Sequence, residues 1–243
     1  KPVIFMIGAH VIKVGCSNIL IELLKKGFIT HIAMNGAGPI HDFEIAYQGA
    51  TSEWVEENIE DGSFGMAEET GRLMNDAIKE GALENIGLGK AIGKKIEKLN
   101  LKNKEKSVLY NAHKLNIPLT VHSAIGTEII HQHPTCDGAA VGKTTYSDFK
   151  TMADTVSRLK GGVLVNIGSA VILPEVFLKA LAVARNLGYE VKDFTAANLD
   201  MLDHYRTNVN VLERPTSLGG SKFKVIGRHE QTIPKLYQLL AGE

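Results

Sequence analysis

The 243-residue sequence is poor in cysteine, poor in aromatic side chains and without a charge of one sign. Two cysteines, Cys16 and Cys136, are too few for a disulfide framework and fit a reducing compartment, so a cytoplasmic location is expected. Lys and Arg number 27, Asp and Glu 27, and the formal charge is zero. That disfavours a nucleic-acid partner, because phosphate recognition needs a concentrated positive excess. No signal-peptide pattern follows Lys1-Pro2. The one long apolar stretch, 163–184, is interrupted by Asn166, Gly168, Ser169, Pro174, Glu175 and Lys179, too many polar or helix-disrupting groups for a lipid-embedded span, so no membrane association is expected. Internal repeats and low-complexity tracts are missing, which makes one domain over 1–243 the simplest organisation.

Glycine, in contrast, is abundant: 24 of 243, against an average of about 7%. Short apolar runs alternate with helical patterns, the layout of an α/β fold with a doubly wound, mostly parallel sheet. Strands are expected at 3–7, 30–34, 117–122, 162–167, 191–197 and 223–226. Helices are expected at 16–26 (closed by Gly27), 52–60 (carrying Trp54, the one tryptophan), 66–80 (closed by Gly81), 107–115, 147–159, 174–187 and 232–240. The lysine-rich stretch 83–106 reads as a solvated helical face or an excursion.

In such a sheet, ligands bind beyond the carboxyl ends of the strands. Five polar clusters fall there: 10–18, 35–44, 122–137, 166–169 and 198–203. A strict G-x-G-x-x-G fingerprint is absent, although Gly36-Ala37-Gly38 forms a turn able to approach a pyrophosphate or ribose, and for Ser17 or Asn18 a helix N-cap is the plainer reading. His131 and His133 lie near His122, Cys136 and Asp137, a set capable of acid–base or metal-assisted chemistry; H-E-x-x-H and C-x-x-C are absent, and no metal site is assigned. The G-x-S-x-G elbow of a serine hydrolase is also missing. Alternation sends Lys222 and Lys224 to one side of the last strand, where one of them, desolvated beside the other, would become a nucleophilic amine; two surface lysines on an edge strand is the plainer alternative.

The order of these clusters resembles the deoxyhypusine synthase family, NAD-dependent enzymes that move an aminobutyl group from spermidine to a protein lysine through an enzyme-lysine imine. Ser17-Asn18-Ile19 resembles that family's Ser-Asn-Leu, and Gly36-Ala37-Gly38, with Asp42 following, its Thr-Ala-Gly turn. Residues 107–118 are similar to its helix and Ile-Pro strand, Gly168-Ser169-Ala170 stands at its triple-glycine turn, and Lys222-Phe223-Lys224-Val225 resembles the Lys-Ile-Arg-Val that carries the imine lysine. There are departures. Gly126-Thr127-Glu128 replaces an Asp-Gly-Ser, Leu173-Pro174-Glu175 replaces a Lys-His pair, and the tryptophan before the active lysine is missing. The resemblance implies NAD held by Ser17, Asn18, Gly36, Ala37, Gly38, Gly168, Ser169 and Asn198. It implies Lys222 as nucleophile, with His122, His131 or His133 carrying the proton, and an amine held in a mildly acidic cleft by Asp42, Glu44, Glu128 and Asp137. It further implies a homo-oligomer, a tetramer in that family, and a possible protein acceptor. The expected activity is NAD-dependent aminoalkyl transfer from a polyamine or related amine. Acid–base or metal-assisted chemistry at the histidines and non-enzymatic NAD binding are the alternatives.

Overall fold

The sheet is built outward from two strands that are apolar on both faces except at Asn166, as parallel strands covered by helices require. The structure, a computed structural model, describes residues 1–51 and 55–242. Strands β1 (Val3–Ile7), β2 (His31–Asn35), β3 (Leu119–His122), β4 (Val163–Ile167), β5 (Thr195–Asp200) and β6 (Ser221–Ile226) form one parallel sheet in the order β3-β2-β1-β4-β5-β6. This is the doubly wound α/β arrangement expected from the sequence. The order reverses between β1 and β4, and a crevice opens there beyond the strands' carboxyl ends.

Alternation along the strands divides the core in two. Phe5, Ile7, Ile32, Met34, Val121, Val165 and Ile167 face one side, under α1 (Ala9–Lys13), α2 (Ser17–Lys25), α3 (Ala37–Gln48), α5 (Glu68–Glu84), α6 (Leu88–Lys98) and α7 (Val108–Lys114). Between α3 and α5 lies α4 (Val55–Asp61), which buries none of its residues. Ile4, Met6, Ala33, Leu164 and Ala196 face the other side, under α8 (Gly138–Ser157) and α9 (Ile172–Asn186). The chain closes with α10 (Tyr205–Thr207), a π-helical turn Asn208–Glu213, a 3-10 turn Pro215–Leu218 and, after β6, α11 (His229–Ala241).

Several elements differ from the sequence expectation for identifiable reasons. The helix expected at 52–60 is present as α4, but Trp54 lies outside the described residues. Gly36-Ala37-Gly38 is the first turn of α3 rather than a loop. Gly81 does not end α5: it lies against Ala91 where α5 and α6 pack closely, and the helix ends at Asn85, whose φ is 57°. The lysine-rich stretch is no excursion, because α6 buries Leu88, Ala91, Ile92 and Ile96 against its neighbours, and Lys95 lays its stem inward with its ammonium on Glu80 at 2.7 Å. Helix α8 starts nine residues before the expected 147, because Asp137 caps it by accepting from the backbone N–H groups of Ala139 (2.9 Å) and Ala140 (3.1 Å). Strand β5 starts at Thr195 rather than 191, since the Arg185 guanidinium ties the Val191 carbonyl to α9 (3.1 and 2.8 Å) and holds that segment out of the sheet.

One buried carboxylate joins the second layer to the first. Asp148 on α8 accepts from the N–H groups of Gly89 (2.9 Å), at the start of α6, and Val121 (2.8 Å), in β3. Its burial pushes the carboxyl from 3.8 up to about 7, against the opposing pull of those N–H groups. A raised carboxyl pKa stabilises the fold fully below about pH 4 and loses that contribution as pH rises through 7. Asp148→Asn is therefore expected to gain on the wild type, by on the order of 2–3 kcal/mol between pH 5 and pH 8. Urea midpoints at the two pH values test this; a constant difference would refute it.

Candidate functional site

The carboxyl ends of β1 and β4 meet without side chains between them. The Gly8 N–H donates to the Ile167 carbonyl at 2.8 Å and Gly168 N–H to that of Leu199 at 3.0 Å, so the sheet pairing continues into the turns. A methyl group on Gly8 would collide with the Gly168 carbonyl, and one on Gly168 with the His229 ring. Gly8 has an ordinary extended backbone (φ −76°, ψ 159°), so proximity alone demands glycine there; Gly168 also has φ +65°.

Around this seam stand buried polar atoms without hydrogen-bond partners among the described residues: Ser17 Oγ in the first turn of α2, Asn35 Oδ1 at the end of β2, Asn166 Oδ1 in β4 and His229 Nδ1 at the start of α11. Native interiors leave few such atoms, and at these strand ends an ordered water or a ligand would complete the bonding. His10 stands 5.8 Å from the His229 ring, and burial holds the His229 imidazole below its usual pKa. Asn166 donates to Asn198 Oδ1 (2.7 Å) and to the Ser169 carbonyl (3.0 Å), while Ser169 Oγ accepts from Leu173 N–H (3.3 Å) at the entrance to α9.

The β2 and β3 ends carry a second group. Asn35 and His122 are direct neighbours across the two strands. His122 Nε2 lies 3.0 Å from Thr120 Oγ1, which lies 3.0 Å from His31 Nε2, and His31 Nδ1 lies 2.8 Å from Thr155 Oγ1 on α8. Burial lowers the His31 pKa to about 3 and that of His122 to about 4, so both rings are neutral near pH 7. His122 lines a cavity of about 330 Å³ with Ser123, Tyr146 and Phe149 on one side and Val171, Ile172 and Glu175, at the head of α9, on the other. A second recess, of about 280 Å³ near Asp148 and Gly89, lies at the opposite, amino end of β3, away from these groups.

The remaining expected site residues are dispersed. His131 faces Ser123 and Glu128, and the two contacts (Ser123 Oγ to His131 Nε2 3.4 Å, His131 Nδ1 to Glu128 Oε2 3.1 Å) have the connectivity of a hydrolase triad. However, His131 Nδ1 accepts from Gly126 N–H (3.1 Å), and Ser123 O–H donates to Glu128 (3.0 Å), so the serine is not activated. His133 is bound to Glu68 (2.9 Å) and Thr135 (2.8 Å). Thus the three histidines do not form one cluster, and among the described residues no three His, Cys, Asp or Glu side chains converge as a metal site.

The acidic cleft is corrected in the same way, because structural roles occupy its carboxylates. Asp42 is fully buried and caps α7, accepting from Ser107 O–H and the N–H groups of Val108 (2.8 Å) and Leu109 (3.0 Å); burial pushes it to about 6. Glu44 accepts from Thr51 and Thr70, Asp137 caps α8, and Glu128 packs on the bare Cα of Gly36. Asn18 is exposed on α2, and Gly38 packs on Met34.

Lys222 is the second residue of edge strand β6, beside Ala196, four positions before the carboxyl-end pair Asp200–Ile226. It therefore sits about 13 Å along the strand from the end where the crevice opens, half exposed and paired with Glu213. The neighbouring lysine, Lys224, is held by Asp203 at 2.8 Å, so no second cation presses on Lys222. The residues that sequence reasoning missed are His31, Thr120, Thr155 and His229. His229 had a readable signal, since Gly227-Arg228-His229 follows the last strand in the position that the polar clusters occupy after the others.

No family model matches the chain, and no curated protein matches it either. Solved structures do share its fold. A conserved protein assigned to the LOR/SDH type from Methanococcus maripaludis S2 superposes with a TM-score of 0.62 at 18% identity, over 100% of this chain and 61% of the other. AgrE, solved as a ternary complex with ornithine and NAD+, gives 0.60 at 13% identity over 100% of this chain and 30% of that one. A protein from Entamoeba histolytica assigned as a deoxyhypusine synthase gives 0.56 at 10%, over 98% and 74%. The chain therefore spans less than two thirds of the first two, and these identities establish the fold alone. No helix among the described residues is long and apolar enough to cross a membrane.

Two glycines separate proximity from backbone strain at the seam. Gly8→Ala is expected to cost more than about 3 kcal/mol, because the new methyl meets backbone that cannot yield. Gly15→Ala, where φ is +81° but space is open, should cost about 1–2 kcal/mol. Thermal unfolding of both variants checks the order; equal losses would contradict it.

Proposed function

We propose that the protein binds a nicotinamide dinucleotide along the carboxyl edge of its sheet and acts on a small molecule at a carbon that bears an amino group. The observation that carries this reading is the glycine seam of Gly8 and Gly168 with the partnerless Ser17 Oγ, Asn35 Oδ1 and His229 Nδ1 around it. The donor set fits the group. Ser17 and the free N–H groups of the first turn of α2 suit a pyrophosphate. Asn35 ends β2, where dinucleotide-binding folds carry the side chain that takes a ribose hydroxyl. The amine class is suggested by AgrE, whose complex holds ornithine with NAD+.

When bound, such a cofactor supplies hydride transfer to or from the substrate carbon. The chain supplies the rest. The pocket beside the β4 turn, between α8 and α9, has an aromatic wall of Tyr146 stacked on Phe149 (6.2 Å) that offers an apolar surface to the substrate's carbon chain. His122, neutral near pH 7, stands at its floor as an acceptor for the N–H of the substrate. Glu175 at its rim is already neutralised by Lys179 (2.7 Å) and Arg206 (2.9 Å), so the pocket favours a substrate without a high positive charge over a polyamine dication.

NADH titration by fluorescence, followed by absorbance changes at the nicotinamide band across a panel of amino acids and amines, tests the reading. Micromolar NADH binding is expected, weakened about fivefold to tenfold in Ser17→Ala. Lys222→Ala should leave both binding and turnover unchanged. No binding at millimolar NADH would overturn the proposal, and loss of turnover in Lys222→Ala would restore aminoalkyl transfer through a lysine imine.

A further inference from the structure

The sheet face under α8 and α9 contains a row of polar groups that protein folding alone does not require. His31 and Thr120 are fully buried, Thr155 and His122 nearly so. Apolar residues of similar size would fill these positions without desolvating four polar groups. The four are linked end to end at 3.0, 3.0 and 2.8 Å, and the chain has one open end: among the described residues His122 Nδ1 has no hydrogen-bond partner, and His122 lines the pocket between α8 and α9.

Counting protons fixes the direction of the chain. Each hydroxyl donates one hydrogen, and each neutral imidazole carries one N–H. Thr155 O–H donates to the Thr151 carbonyl one helical turn earlier (3.2 Å), so Thr155 accepts from His31 Nδ1–H. His31 Nε2 is then bare and accepts from Thr120 O–H, and Thr120 in turn accepts from His122 Nε2–H. His122 is left with a lone pair on Nδ1. The opposite polarity gives up the bond to Thr151 and has one hydrogen bond fewer. Both rings must be neutral for either pattern, as the depressed pKa values of His31 and His122 support. The charged or titratable groups around them are Arg158 near His31, Glu175 across the pocket and Asp148, whose carboxylate binds the β3 backbone between Thr120 and His122.

We propose that Thr155, His31 and Thr120 are positioning residues that hold His122 as the Nε2–H tautomer, so that its Nδ1 lone pair meets an N–H or O–H group of the substrate in the pocket between α8 and α9. The role of the pocket rests on the function proposed above; the tautomer does not. Tautomer choice set by a remote hydrogen bond is a general property of histidine sites.

The test is long-range proton–nitrogen NMR on the full chain labelled at histidine nitrogen, at neutral pH, with His122→Gln and His31→Gln used to assign the signals. The expected spectrum has pyridine-like Nδ1 and pyrrole-like Nε2 for His122, and the reverse for His31. Thr155→Val removes the acceptor at the far end, and His122 is expected to lose its preference for Nε2–H by about fivefold, while Thr155→Ser retains it. A wild-type His122 that is mainly Nδ1–H overturns the proposal, as does an unchanged tautomer ratio in folded Thr155→Val. Should Thr155→Val not fold, the wild-type spectrum and Thr155→Ser decide. If NADH does not bind yet the tautomers are as expected, the cofactor reading fails and the positioning chain stands.

Discussion

The pairing of β1 with β4 is the constraint on which the rest of the molecule depends. Strands from the two halves of the chain, more than 150 residues apart, lie in register from Val3 and Val163 to Ile7 and Ile167. Because both run the same way and their connections leave in opposite directions, the polypeptide cannot cover the seam at its carboxyl end. Helices α2 and α9 start on either side of it, and the glycines let the backbones approach. Everything read as a site follows from that opening: the partnerless Ser17 and His229 on one side, and the turn from Gly168 into α9 that walls the pocket over His122 on the other.

Buried charge and buried neutral polarity are used differently. Asp42 and Asp148 are carboxylates locked onto backbone N–H groups, and their raised pKa values record how much desolvation those bonds offset. Each ties a helix start to another element: α3 to α7, and α8 to both α6 and β3. Their oxygens are consumed by architecture. The histidines and amides of the α8/α9 face are neutral, cost less to bury, and keep bonding capacity at the strand ends. The bonding capacity left open on this face at the strand ends is therefore that of neutral amides, hydroxyls and imidazole.

The fold was legible because strands such as Val3–Ile7 and Val163–Ile167 are short apolar runs next to glycine turns, alternating with helical patterns, a local signal that needs no tertiary information. The site was legible only in part. Ser17, Gly168, Ser169, Asn198 and His122 lie at strand or helix ends that the sequence marks, and the structure brings them to the carboxyl edge. Asp42, Glu44 and Asp137 carry the same local signal, but a carboxylate used as a cap and one offered to a ligand look alike until the helix it caps is placed. The π-helical turn 208–213 left no periodic trace. What sequence could have shown is the alternation itself: His31-Ala33-Asn35, Thr120-His122, Leu164-Asn166 and Ala196-Asn198 put polar groups toward the carboxyl end of one face on four strands, a pattern that a single packed core has no reason to repeat.

Strand β6 shows how a motif can be carried by physics unrelated to catalysis. All six of its residues are exposed, and it presents an unpaired edge, the position most open to pairing with another chain. Lysines at alternate positions are a common protection of such an edge, and the ion pairs of Lys222 with Glu213 and Lys224 with Asp203 hold them along it. A lysine that forms imines needs the opposite surroundings: desolvation, and no carboxylate to stabilise its protonated form. The Lys-x-Lys-Val pattern thus satisfies edge protection in full and nucleophilic activation not at all within this chain. The same segment leaves Phe223, Val225 and Ile226 uncovered beside the lysines, and the charges spaced among these apolar groups limit edge-to-edge growth of the sheet.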